Sequence, residues 1–168
     1  MFVIDTSSIL QVRRLMSREP NPKVTSVYQQ LIRAARSGSI VFPKGIIGEL
    51  ELGSADAARR PDPAADWAIA CKGMAVPNEE LLIETREVLS VVPDLLDADK
   101  PSTTDEADPY VVALALQLIR ADHAAVVVTE ETRDTPTKTS MRSACGLLRI
   151  PTLSMRVFLS RQGYWQEP

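Results

Sequence analysis

Histidine and cysteine are scarce in this chain, with one of the former and two of the latter in 168 residues. A single histidine, His123, excludes a multi-histidine zinc site and leaves little room for histidine-based acid–base catalysis. It falls at a predicted helix-to-strand connection and reads as structural. Cys71 and Cys145 have no close partner and no metal-type spacing, so both are expected to be reduced, buried thiols. No apolar run approaches the roughly 20 residues needed to cross a bilayer. The N-terminus shows no basic segment followed by an apolar stretch and a cleavage site, so the expectation is a cytoplasmic protein with no membrane partner. No GxxxxGK[ST] or GxGxxG run is present, which argues against a phosphate-cradling nucleotide site. Basic residues are not in excess either. The net charge of −3 argues against coating nucleic acid by bulk electrostatics. It does not argue against a nuclease, because clustered acids lower the net charge while local basic residues still hold phosphates.

What remains is an ordinary globular composition, 45% apolar and 24% charged, long enough for one domain over residues 1–168 with a substantial core. Residues 2–5 read as a short buried strand and 24–37 as an amphipathic helix ending near Gly38. Ile40-Val41-Phe42 reads as a second strand closed by Pro43, followed by a helix carrying Ile46, Ile47, Leu50 and Leu52. Residues 53–66, rich in Ala, Pro, Asp and Arg, are the least structured stretch. Helices are predicted from Pro63 to Gly73, from Pro77 to Val92, and over about 108–121. Residues 93–104 read as a loop. The clearest strand is 124–129, and the polar segment 130–140 comes after it. A helix at 141–147, a strand at 150–153 and a helix at 155–162 complete the chain. Strands alternating with helices predict an α/β fold with a mostly parallel sheet, whose sites form beyond the C-terminal strand ends.

Acidic residues recur where an apolar segment ends. Asp5 follows Phe2-Val3-Ile4 and precedes the hydroxyl run Thr6-Ser7-Ser8; Glu49 lies in Ile46-Ile47-Gly48-Glu49-Leu50; Asp108 precedes Pro109; and Glu130-Glu131 follow Val126-Val127-Val128-Thr129. A parallel sheet brings such positions to one edge. Two carboxylates about 4 Å apart repel by roughly 4 kcal/mol at an effective dielectric near 20. A divalent cation is the usual remedy, and oxygen-only ligands favour a hard ion such as magnesium or manganese.

Each acid also has a plainer role available. Asp5 could be a turn-former bonded to nearby amides. Asp108 before Pro109 reads as a helix N-cap, a position that also suits an anion or phosphate. Asp105 is a further ligand or part of a solvated loop. Glu49 and Glu51, two residues apart, fall on different helix faces, and Glu49 is preferred because it directly follows the apolar pair abutting the sheet.

The constellation resembles the PIN-domain family of metal-dependent ribonucleases over nearly the full length. Val3-Ile4-Asp5-Thr6-Ser7-Ser8-Ile9-Leu10 is similar to the family's opening strand with its first acid. Gly48-Glu49-Leu50 stands where the second acid and a leucine are expected. Asp108-Pro109-Tyr110-Val111-Val112-Ala113-Leu114-Ala115 is similar to the third acid with its apolar helix. Val127-Val128-Thr129-Glu130-Glu131 resembles the fourth site, with Glu131 where aspartate is more common. Asp66-Trp67, this fourth segment and the ending Gly163-Tyr164-Trp165 resemble a PIN-like branch of uncharacterised bacterial proteins, several of them thought to be toxin-like.

The resemblance implies a single-domain, three-layer sandwich and a magnesium- or manganese-dependent endoribonuclease. Asp5, Glu49, Asp108 and Glu131 would be the catalytic and metal-binding acids. Thr6, Ser7 and Thr129 would support them, and Arg13, Arg14, Lys44, Lys138 and Arg142 are candidates for RNA phosphates. It also implies a homodimer and a possible antitoxin partner, as in a toxin–antitoxin pair. Three of the eight aromatic residues, Phe158, Tyr164 and Trp165, crowd the last eleven positions, which suits an interface or a tail packed on its own sheet. The rival reading is a non-catalytic PIN-like binding or scaffolding protein. A phosphotransferase using Asp5 as nucleophile fits poorly, since the haloacid-dehalogenase pattern needs a second Asp where Ser7 stands.

Overall fold

Two short runs of β-branched residues make the centre of the molecule. A computed structural model describes residues 1–53, 62–97 and 106–166. Phe2–Ile4 (β1) and Val126–Val128 (β3) pair in parallel, Phe2 opposite Val126 and Ile4 opposite Val128. Ile40–Val41 (β2) adds to the other side of β1, and Thr152–Leu153 (β4) to the far side of β3. The sheet order is β2-β1-β3-β4, all parallel. Adjacent residues Val3 and Ile4, and likewise Val127 and Val128, are fully buried. Neighbours along a strand face opposite ways, so both faces of the sheet are covered. The fold is the expected α/β three-layer sandwich.

Among the described residues the α-helices are α1 (Thr6–Leu15), α2 (Asn21–Arg36), α3 (Lys44–Gly53), α4 (Pro63–Cys71), α5 (Leu82–Val91), α6 (Asp108–Arg120), α7 (Met141–Leu147) and α8 (Met155–Arg161). Their apolar faces explain them. In α2, Val24, Val27, Tyr28, Leu31, Ile32 and Ala35 recur at helical spacing and are all buried. The first half of α6 is buried all round from Val111 to Ala115, as befits the helix packed on the two central strands β1 and β3. Buried thiols at Cys71 and Cys145 are pushed up by desolvation to about 11 and about 12, so neither is a nucleophile at neutral pH.

Two elements differ from expectation. Helix α1 has no predicted counterpart, because Gln11, Arg13 and Arg14 dilute its pattern, yet Ile9, Val12 and the following Met16 are buried at three- and four-residue spacing. The helix predicted from Pro77 begins as a 3-10 turn over Asn78–Leu81, with α5 starting at Leu82. The Asn78 side chain accepts from the Gly45 N–H of α3, so it ties two segments together rather than capping its own helix. Asp105 and residues 54–61 of the Ala/Pro-rich stretch lie outside the described residues.

The chain passes from β1 outward to β2, then returns across β1 to β3. The point where the order reverses lies between β1 and β3, at whose carboxyl ends α/β folds place ligands.

Candidate functional site

Asp5 stands immediately beyond β1 at that reversal point. Its backbone N–H donates to Val128 of β3 (3.2 Å), which extends the strand pairing by one residue and holds the side chain at the sheet edge. The carboxylate is buried, 2% exposed. Two hydroxyls donate to its Oδ2: Ser7 at 2.5 Å and Thr129 at 2.9 Å. Both hydroxyls also accept, Ser7 from the Glu130 N–H (3.1 Å) and Thr129 from the Glu131 N–H (3.1 Å). The turn after β3 is thus tied to the turn after β1 through Asp5. Ser8, fully buried, donates to the Val128 carbonyl (2.8 Å) and closes the same seam.

Thr129→Val, nearly isosteric, removes one donor to Asp5 and the acceptor of the Glu131 N–H. We expect a loss of about 1–3 kcal/mol in urea-induced unfolding. A change under about 0.5 kcal/mol, the level of an ordinary surface substitution, would show that this tie does not organise the site.

The other acids reach this edge from three elements. Glu49 projects from α3, which follows β2. One of its carboxylate oxygens accepts from the Thr6 hydroxyl and the other from the Ala107 N–H at 3.0 Å. It therefore bridges the start of α1 to the start of α6. Asp108 is the first residue of α6, a helix that precedes a parallel strand and so begins at the sheet's carboxyl edge. The expected N-cap role for Asp108 is not observed: the cap position is Ala107, and no side chain caps the helix. The Asp108 carboxylate instead accepts from the Lys138 ammonium at 2.5 Å. Glu131 follows β3, and both of its oxygens accept from the same ammonium, at 3.1 and 3.2 Å. The adjacent Glu130 leaves the cluster and accepts from the Met155 N–H at the start of α8 (2.7 Å).

The electrostatics record the crowding. Desolvation chiefly, then the charges of Glu131 and Glu49, raise Asp5 to about 6, against the pull of the Ser7 and Thr129 bonds. Desolvation, then Asp5 and Glu131, raise Asp108 to about 7, even with Lys138 opposing. Burial alone would lower the Lys138 ammonium, but Asp108 and Glu131 together push it well up. Raised carboxyls at a switch point mark a candidate functional site with a stated physical cause.

The structure brings together all four predicted acids and all three predicted hydroxyl supports. It also places Lys138, named from the sequence only as a phosphate contact, against two of the acids. The other basic candidates are exposed. Lys44 opens α3 and Arg142 lies on α7. Arg13 and Arg14 lie two turns along α1, about 12 Å from its Thr6 end by the helical rise. They line shallow grooves of about 370–600 Å³ on that flank.

The donor chemistry fits magnesium or manganese, since every candidate ligand is oxygen and the carboxylates outnumber the cation. Among the described residues, however, no three acidic, histidine or cysteine side chains converge tightly enough to hold an ion as they stand. Lys138 ties up Asp108 and Glu131.

No curated protein and no solved structure matches this chain. A family model described as a domain of unknown function, DUF4411, matches residues 2–165, and the chain belongs to that family.

Proposed function

We propose that this protein is a magnesium- or manganese-dependent endoribonuclease of PIN-like type. The observation that carries the reading is the gathering of Asp5, Glu49, Asp108 and Glu131 at the switch point of a parallel sheet, with Asp5 and Asp108 buried and raised toward neutrality. Such a cluster is costly without a cation, and Lys138 offsets only the Asp108 and Glu131 part of it. A divalent ion, when bound, activates a water for attack and offsets the phosphate's developing charge. The residues supply the rest. Asp5, Glu49, Asp108 and Glu131 would hold the ion. Ser7 and Thr129 fix the Asp5 rotamer, and Thr6 and the Ala107 N–H fix Glu49. We assign contacts with RNA phosphates to the exposed Arg13, Arg14, Lys44 and Arg142.

The test is cleavage of a single-stranded RNA with manganese and with excess chelator. Metal-dependent products support the reading. Equal cleavage in chelator would defeat the metal mechanism, because no other nucleophile or oxyanion donor set is offered by these acids. Zinc should not substitute as the native ion, since no Cys/His set exists to hold it.

A second reading, a non-catalytic PIN-like binding protein, draws on Lys138. A carboxylate edge partly neutralised from within is stable without an ion, and a protein of this kind would bind RNA or a partner without cutting it. No cleavage with manganese, together with retained RNA binding, would favour it.

Among the described residues no helix is long and apolar enough to cross a membrane; a cytoplasmic location is part of the proposal. The same resemblance extends the proposal to a homodimer and to the toxin of a toxin–antitoxin pair. The aromatic tail does not add to the dimer claim. Phe158 packs edge-on to Phe2 and Tyr164, with ring centres 4.9 and 5.9 Å apart, and buried Trp165 donates to Glu19 of the same chain (3.1 Å). Sedimentation at micromolar concentration should show a dimer, and a monomer there would remove that part of the proposal.

A further inference from the structure

We infer that Lys138 is a built-in counter-cation of the carboxylate edge, and that its ammonium competes with a divalent ion for Asp108 and Glu131. The inference rests on the reading of these carboxylates as a divalent-ion site.

Three observations carry it. First, the contact is bidirectional across the fold: one ammonium binds Asp108 at the start of α6 and Glu131 beyond β3. A surface lysine with a helical neighbour, such as Lys23 with Glu19, makes no such bridge. The Lys138 side chain is only 14% exposed, against 50% for Lys23. Second, the site divides by kind of partner. Asp5 and Glu49 are bonded by hydroxyls and an amide, which satisfy oxygens without cancelling charge. Asp108 and Glu131 are bonded by a cation. Among the described residues no other lysine or arginine pairs with any of the four acids. An ion that recruits all four must therefore take Asp108 and Glu131 from Lys138.

Third, the backbone under Lys138 is held by bonds separate from those of its side chain. The Lys138 N–H donates to the Thr135 hydroxyl and its carbonyl accepts from the Thr135 N–H. Asp134 accepts from the Ser140 N–H and the Ser143 hydroxyl, and the Thr139 N–H donates to the Asp94 carbonyl. The turn that presents the lysine is thus held at both ends. Exchange of ammonium for ion needs only rotation of a four-carbon arm with several rotatable bonds, not movement of the loop. Lys138 stabilises the ion-free protein and sets how much divalent ion is needed to load it.

The test compares wild type, Lys138→Met and the charge-retaining Lys138→Arg by calorimetric titration with manganese, alongside melting of each in metal-free buffer. The methionine variant keeps the length of the arm and loses the charge. It should melt below wild type without metal, and bind manganese at least about tenfold more tightly, since an opposite charge at this distance shifts a carboxylate's proton affinity by about one to three decades and a divalent ion competes for the same oxygens. The arginine variant should stay near wild type in both measurements. Should Lys138→Met not fold, Lys138→Gln, which keeps a hydrogen-bond donor, is expected to show the same tightening. Manganese binding of equal affinity in wild type and both uncharged variants would overturn the competition while leaving the metal reading intact. Binding by the uncharged variants alone would support it in its strongest form. No binding by any of the proteins would defeat the metal reading, and the inference with it.

Discussion

Replacing Asp5 with asparagine should abolish RNA cleavage while leaving the metal-free protein as stable as wild type or more so. The two effects have one cause. The asparagine oxygen still accepts from Ser7 and Thr129, whose hydroxyls converge on a single Asp5 oxygen, so the shape of the seam survives. What disappears is a charge in a desolvated position beside Glu131 and Glu49. Raising that carboxyl from 3.8 to about 6 corresponds to a penalty on the charged form of about 3 kcal/mol. Relief of even part of it should lift the metal-free melting temperature by a few degrees, at about 2–4 °C per kcal/mol for a chain of this size. Cleavage should fall by at least about a hundred- to a thousandfold, the usual cost of losing one preorganised group at a reacting centre. Manganese should raise the melting temperature of wild type more than that of the variant, because only the state that binds the ion is stabilised by it. A large loss of melting temperature for Asp5→Asn without metal would instead identify Asp5 as a structural turn residue.

Acid should oppose metal loading, steeply. With Asp5 at about 6 and Asp108 at about 7, an ion that needs both as carboxylates displaces two protons below pH 6 and one between 6 and 7. Manganese affinity should rise about a hundredfold per pH unit in the first range, about tenfold in the second, and level off above 7. The stability of the metal-free protein should run the other way. Both carboxyls hold protons more tightly in the folded chain than in the unfolded one, so the folded state binds more protons between about pH 4 and 7. This contribution to stability is complete below about pH 4 and is lost as pH rises through 6 and 7. Calorimetry in buffers of different ionisation enthalpy counts the protons released, and melting curves across pH 4–8 follow the second trend. Affinity independent of pH over 5–7 would show that neither carboxyl joins the ion.

Three of the four acids were legible in the sequence because they sit at a change of pattern, and Glu49, inside α3, because it follows an apolar pair. Asp5 ends the apolar run of β1, Asp108 precedes a proline and a helix buried all round, and Glu131 closes the valine run of β3. Parallel topology then brings such points to one edge without further information. Glu130 and Glu131 part company for a local reason: adjacent residues leaving a strand point opposite ways, one to α8 and one to the site. The position of Lys138 was not legible. It lies in the polar segment 130–140, which has no periodicity, and its approach to Asp108 is set by the Asp134 and Thr135 hydrogen bonds that shape that turn. Helix α1 was obscured by its own arginines, and the N-cap expected at Asp108 is not formed because the helix starts one residue earlier than expected, with Ala107 at the cap position and Asp108 already inside the first turn.

Manganese electron paramagnetic resonance tests the central claim most directly, that the carboxylate edge holds a divalent ion. At pH 7.5, wild-type protein in excess over manganese should quench the sharp signal of the hydrated ion. Asp5→Asn and Asp108→Asn, each shown to be folded, should leave most of it. A signal undiminished by wild type, or quenched equally by both variants, would contradict the account.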